Sequence, residues 1–157
     1  MTVGYIMDLR KVVGRRKLLM VGAGTFVLRN GQVLLQRRKD SGLWADHGGS
    51  TELSERVEDT ARRDLTEETG LTAGKLECLG VLSGPEMDHT YPNGDEVSMV
   101  CLYYLCRDFS GEIRQQQEEV AELRWFPLNA LPPKEEISPP SWHALQLLLD
   151  YLKKEQR

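Results

Sequence analysis

The 157-residue sequence has no run of eighteen apolar residues, and its opening, MTVGYIMDLRKVVGRRK, lacks an apolar stretch followed by a small-residue cleavage site. Neither a membrane span nor a secretory leader is expected, which points to a soluble, cytoplasmic protein with no membrane partner. Cysteine is scarce: Cys78, Cys101 and Cys106 show neither CxxC spacing nor a histidine at zinc-ligand distance. Cys101 and Cys106 lie in one strand-like run, and their odd separation sends them to opposite faces. Buried free thiols are expected rather than a disulfide.

Familiar catalytic signatures are missing too. Gly22 and Gly24 make only a GxG, with Val27 where a third glycine would fall, and no P-loop, GxSxG elbow or HExxH pair occurs. Dinucleotide binding by the usual fingerprint and the commonest serine-hydrolase and zinc-protease chemistries are thereby set aside. Basic charge is not in excess, since the net charge is −4 and the pI about 5.5, so a nucleic-acid polymer is not the expected partner. A phosphate-rich ligand on an acidic protein calls for local neutralisation, which a divalent cation held by carboxylates supplies.

What is present reads as one domain over residues 1–157, with enough apolar residues for one core. Apolar runs at 18–28 and 33–38 flank Asn30-Gly31, a strong hairpin signal. A loop is expected over 39–49, then a polar, acid-rich helix over about 55–69, with Ser54 as N-cap and Gly70 closing it. Further strands are expected at 76–82, at 97–106 in mid-sheet and covered on both faces, and at 122–126. Residues 83–96 form a long loop or irregular hairpin tip, and 141–154 an amphipathic helix whose Trp142, Leu145, Leu148, Leu149 and Leu152 pack on the core. Strands alternating with two helices suggest α/β layering.

Residues 48–71, GGSTELSERVEDTARRDLTEETGL, carry the chemistry. On a helix turning roughly 100° per residue, Asp64, Glu67 and Glu68 share one face, an arrangement that repels itself unless a cation sits among them. Val57, Ala61 and Leu65 follow at steps of four on the neighbouring arc and can anchor the helix to a sheet. The spacing resembles the Nudix signature: Gly49, Glu55, Arg63, Leu65, Glu67, Glu68, Gly70 and Leu71 fit, and Asp64 replaces a glutamate. Such a match arises by chance on the order of once per million chains of this length. Gln36, Arg37 and Arg38, then Trp44 before the paired glycines, and Leu123 to Phe126 also resemble Nudix surroundings.

The resemblance implies a Nudix-type (MutT-like) α/β/α sandwich with a mixed β-sheet. It implies hydrolysis of a diphosphate linkage in a nucleoside diphosphate derivative, such as ADP-ribose or a nucleotide sugar, with Mg²⁺ as cofactor and Mn²⁺ as an alternative. By position, Glu67, Glu68, Asp64 and the carbonyl of Gly48 would be metal ligands, and Glu55 with Arg63 a supporting ion pair. Asp64 and Glu67 count as catalytic, with a general base sought among Glu118, Glu119 and Glu122 and Glu119 chosen. Arg37, Arg38, Trp44 and Tyr91 would contact substrate, and His89 could line the pocket. His47, where a proline is common, reads as a solvated loop residue, with contact to substrate or metal as the other reading. A MutT-like nucleoside triphosphate pyrophosphohydrolase, a catalytically weak nucleotide-binding module and assembly as a homodimer stand as alternatives.

Overall fold

Two successive residues of positive φ, Asn30 at 54° and Gly31 at 73°, form the tight turn that the Asn-Gly pair predicts. In the computed structural model, which describes residues 4–156, this turn joins β1 (Leu18–Arg29) to β2 (Gln32–Arg38) in antiparallel register. Residues 1–3 and 157, which the readings of the N-terminal segment and of a single domain also took in, lie outside the described residues. A helix, α1 (Tyr5–Val13), precedes the hairpin. After it come β3 (Trp44–Ala45), β4 (His47–Ser50), α2 (Val57–Thr69), β5 (Thr72–Ala73), β6 (Glu77–Leu82) and β7 (Asp88–Thr90). The chain ends with β8 (Glu96–Cys106), β9 (Phe109–Ser110), β10 (Val120–Pro127) and α3 (Pro139–Glu155).

Eight strands make one mixed sheet along the path β10-β2-β1-β8-β6, with β3 on β2, β4 on β1 and β7 on β8, while β5 and β9 pair separately. β1 and β8 run parallel from Leu18↔Val97 to Val27↔Cys106. The alternation of side chains along a strand sorts the core into two layers. Phe26, Leu35 and Leu105 face Ala144, Leu145 and Leu148 of α3, whereas Val27, Leu34 and Cys106 face Leu65 of α2. The result is the expected sandwich of helix, sheet and helix.

Four expectations need correction. Residues 39–49 are not all loop, because β3 and β4 pair with β2 and β1 there. β8 is mid-sheet, but its second face is fully buried only toward its end. α2 packs over Ala23 and Tyr104 and leaves Val21 and Val81 exposed beside Val100 and Leu102. Cys101 and Cys106 are buried on opposite faces, whereas Cys78 is exposed. Finally, α2 starts at Val57 with Arg56 as N-cap and no side-chain cap. Ser54 does not cap it, because its φ of 63° places it in the turn before the helix.

A serine held left-handed is strained by roughly 1–2 kcal/mol, part of which returns as chain entropy when glycine replaces it. Ser54→Gly is therefore expected to stabilise the protein by roughly 1 kcal/mol and raise Tm by about 2–4 °C. Thermal unfolding followed by circular dichroism measures this, and a lower Tm would show the turn to be unstrained.

Candidate active site

β4 lies against β1 so closely that a Cβ on Gly48 would fall 2.0 Å from the Ala23 carbonyl oxygen. Glycine is the side chain this crossing admits. A Cβ on Gly49 would sit 2.7 Å from Asp64 Oδ2, so the Asp64 carboxylate packs directly on the backbone of the double-glycine segment. One turn later in α2, Glu68 accepts from the Gly48 N–H at 3.4 Å and from the Gln36 side-chain amide. Ala61 and Leu65, both fully buried, pin this face of α2 to the sheet, and Gly70 in the left-handed conformation ends the helix.

The packing creates an electrostatic problem. Burial pushes the Asp64 carboxyl up to about 7, with Arg63 pulling it down and Glu67, Glu55 and Glu119 pushing it further up. Burial and the neighbouring Asp64 likewise push Glu68 well above the carboxylate range. Asp64 Oδ2 is buried without a hydrogen-bond partner. Arg63 reaches Asp64 Oδ1 at 2.9 Å and grips both oxygens of Glu55 at 2.9 Å. Glu55 also accepts from Thr60 Oγ1 at 2.6 Å and from the Glu52 N–H, which with Arg63 holds its carboxyl down near 2. This pair locks the loop before α2 to the helix.

A hard divalent cation fits such a donor set. The orphaned Asp64 oxygen, the raised carboxyls of Asp64 and Glu68 and the exposed Glu67 all gain from positive charge. Among the described residues, no three His, Cys, Asp or Glu side chains form a ready-made metal cage. A cation of the Mg²⁺ kind needs no such cage, since one or two carboxylates hold it and waters and phosphate oxygens complete its shell.

These groups line a cleft of about 790 Å³, shared with Glu119, Arg38, Tyr91 and the inner side of α1. Strand parity separates the two candidate arginines. Leu34, Gln36 and Arg38 alternate onto the α2 side, so Arg38 enters the cleft, whereas Arg37 points away and pairs with Glu122 at 3.6 Å. Trp44 is also outside the cleft. It is 7% exposed, packs edge-on to Phe126 at 4.8 Å and belongs to the α3-side core. Arg37 and Trp44, expected to contact substrate, thus do not line this cleft.

His47 is not solvated, and it does not line the cleft. It is fully buried, with Nε2 3.0 Å from the Leu34 carbonyl oxygen and Nδ1 3.4 Å from Gln36 Nε2, and burial lowers its pKa to about 4. Of the three base candidates, Glu119 lines the cleft, while Glu122 is engaged by Arg37 and Arg124. His89 lies in a smaller side pocket, edge-on to Tyr91 at 4.8 Å.

Sequence reasoning missed Gln36, Asp46 and the α1 wall. Gln36 carried a signal: a polar residue on the inward face of a strand, in phase with Leu34. α1 carried none, since nothing in its pattern says which surface it covers. Its anchor is Arg10, which donates to the carbonyls of Gly14, Arg16 and Glu96 at 3.1, 2.5 and 2.6 Å.

Residues 18–148 match the family model of the NUDIX domain. A putative mutator protein MutT4 of Mycobacterium tuberculosis is 36% identical over 91 residues, 57% of this chain and 35% of its own length. An ADP-ribose pyrophosphatase of Methanocaldococcus jannaschii is 32% identical over 115 residues, 71% of this chain and 64% of its own. The chain thus spans about a third of the first relative and under two thirds of the second. The crystal structure of a MutT NUDIX hydrolase from Burkholderia pseudomallei superposes with a TM-score of 0.69 at 31% identity, covering 82% of this chain and 97% of that one. Among the described residues no helix is long and apolar enough to cross a membrane.

A carboxyl whose folded pKa exceeds its unfolded one destabilises the fold at high pH, and the penalty is relieved as pH falls through the folded value. For Asp64 at about 7, this predicts that chelator-treated protein gains roughly 1 kcal/mol, or about 2–4 °C in Tm, from pH 8 to 6.5. His47 acts with the opposite sign lower down. Its contribution is present above about 6.5 and is lost as pH falls toward 4. Asp64→Asn flattens the upper limb, and saturating Mg²⁺ does the same. A limb unchanged by both would show that Asp64 does not carry it.

Proposed function

The chain belongs to the NUDIX domain family, and on that premise we propose that it hydrolyses a diphosphate linkage in a nucleoside diphosphate derivative, using Mg²⁺ or Mn²⁺. The observation that carries this reading is the buried Asp64 oxygen with no partner, set beside Glu68 on the double-glycine backbone. Gly48 through its carbonyl, with Asp64, Glu67 and Glu68, would hold the cation, which when bound screens the diphosphate and makes a water more acidic. Glu55 fixes Arg63, and Arg63 in turn orients Asp64.

Glu119 serves as the base that takes the proton from the attacking water. The water oxygen bonds to phosphorus, the bridging P–O bond breaks, and a monophosphate leaves with the phosphorylated remainder. Arg38, standing in the cleft with its guanidinium 5.9 Å from the Tyr91 ring centroid, binds a phosphate oxygen. ADP-ribose and nucleotide sugars are the favoured substrates. The acidic cleft rim disfavours a long polyanion, and the relative from M. jannaschii is named for ADP-ribose.

Two other readings rest on specific observations. The likeness to a protein named as a putative mutator, MutT4, accompanies the MutT-like reading, in which the substrate would be a nucleoside triphosphate. Asp64, one methylene shorter than the glutamate of the family signature, favours a nucleotide-binding module with weak turnover.

A metal-dependent screen for monophosphate release from ADP-ribose, a nucleotide sugar and a nucleoside triphosphate separates the three. Glu68→Gln is expected to lower kcat by about 10²-fold or more, as loss of charge beside a transferring phosphoryl group does. Asp64→Glu is expected to change kcat by less than about threefold, whereas a gain of about a hundredfold would make the native chain the weak module. No turnover of any substrate, with tight binding retained, would also decide for the module.

A further inference from the structure

A second, smaller pocket of about 90 Å³ opens from the cleft and shares Met20, Arg38, Gly48, Gly49 and Tyr91 with it. By the measure that allots about 15 Å³ to one water, it has room for about six, the space of a flat heterocycle. Met20, Met99, Ala45, Pro140 and Tyr91 give it apolar and aromatic surface, and Arg38, His89, Ser138, Ser141 and Asp46 add polar groups to its lining. Of these, Asp46 is a carboxyl that the diphosphate chemistry does not use.

Asp46 is held from three directions. Ser141, in the first turn of α3, donates its hydroxyl to Oδ1 at 2.5 Å, and the Asp46 N–H lies 3.2 Å from Ser141 Oγ. Gln36 donates to the Asp46 carbonyl at 3.0 Å. Gly24 clears the remaining side, since a Cβ there would fall 2.2 Å from Oδ2 and 2.6 Å from Tyr103 Cε1. The GxG that failed as a dinucleotide fingerprint thus has a local purpose: its second glycine leaves room for the carboxyl.

We propose that this pocket receives the base of the nucleotide and that Asp46 accepts a hydrogen bond from the amino group of a purine. The proposal rests on the diphosphate-hydrolysis reading, since it seats the base of that substrate next to its phosphates. An acceptor with one hydroxyl partner asks for an N–H or O–H donor on the ligand. Apolar and aromatic surface from Met20, Met99, Pro140 and Tyr91 suits the faces of a flat ring, and the polar groups beside it suit the ring's donor and acceptor edge. Arg38 at the mouth disfavours a cationic ligand. Adenine and guanine both carry an amino donor, and hypoxanthine carries none.

Calorimetry on the full chain tests this with ADP, GDP, IDP and UDP, with inorganic pyrophosphate as the base-free probe and Ca²⁺ replacing Mg²⁺ to hold off turnover. ADP or GDP is expected to bind about tenfold or more tighter than IDP and UDP, because a site placed to accept from an exocyclic amino group rejects analogues that offer only a ring N–H at another position. A preference for ADP assigns the 6-amino group, and one for GDP the 2-amino group. Asp46→Asn should shrink that ratio below about threefold, since its amide also donates to an oxo group, and should leave pyrophosphate affinity unchanged.

Should Asp46→Asn lose its cooperative melt, Ser141→Ala decides, with a shift of about threefold or more in the purine-to-IDP ratio supporting the role and no shift overturning it. Equal affinity for all four nucleotides, or a ratio unchanged by Asp46→Asn, overturns the proposal. So does pyrophosphate binding without nucleotide binding, an outcome that leaves the hydrolase reading intact. Failure of that reading shows separately, as absent phosphate release from every substrate.

Discussion

Where β4 crosses β1, a backbone oxygen occupies the space in which a side chain would stand on any residue but glycine. That contact, Ala23 against Gly48, lets two strands from distant parts of the chain lie side by side. Its effects spread in both directions along β4. Toward its end, Gly49 presents bare backbone to the carboxylates of α2; just before it, Asp46 is delivered to the side pocket at the foot of α3. One close approach therefore sets the spacing between the group that handles phosphates and the group assigned to the base.

The carboxylates on α2 are placed at a cost to the fold. Burying Asp64 and Glu68 side by side opposes their ionisation, and the structure offsets it only in part, through Arg63 and the amides of Gln36 and Gly48. Stability and ligand affinity are linked by this arrangement. Whatever neutralises the pair also tightens the contact between α2 and the double-glycine segment, so cation binding and folding share free energy.

Much of this was legible in advance where a local rule coincided with the tertiary one. The Asn-Gly turn, the parity of Cys101 and Cys106, and the i, i+3, i+4 spacing on α2 depend on short-range geometry, and the chain obeys them. What escaped depends on partners far away in sequence. Trp44 was expected to contact substrate but is covered by Phe126 from β10. His47 looked like a loop residue because nothing near it announces the Leu34 carbonyl it meets. Arg10 stops carbonyls as distant as that of Glu96, which no periodicity could reveal. Ser54 shows the converse, a local preference for helix capping defeated by the turn that brings Glu55 under Arg63.

The imidazole of His47 has one further property. With Nε2 facing a carbonyl oxygen, the ring must carry its proton there, which leaves the Nδ1 lone pair 3.4 Å from a Gln36 nitrogen whose two protons go to the Asp46 carbonyl and Glu68. The other tautomer would set acceptor against acceptor at Leu34 and donor against donor at Gln36. The Gln36 amide turns its nitrogen to Glu68 and the Asp46 carbonyl, and an unprotonated Nδ1 is the state of the ring that tolerates that orientation. The sealed Nε2 proton can reach solvent only when β4 lifts from its neighbours, which makes its exchange a clock for the breathing of the phosphate-handling loop.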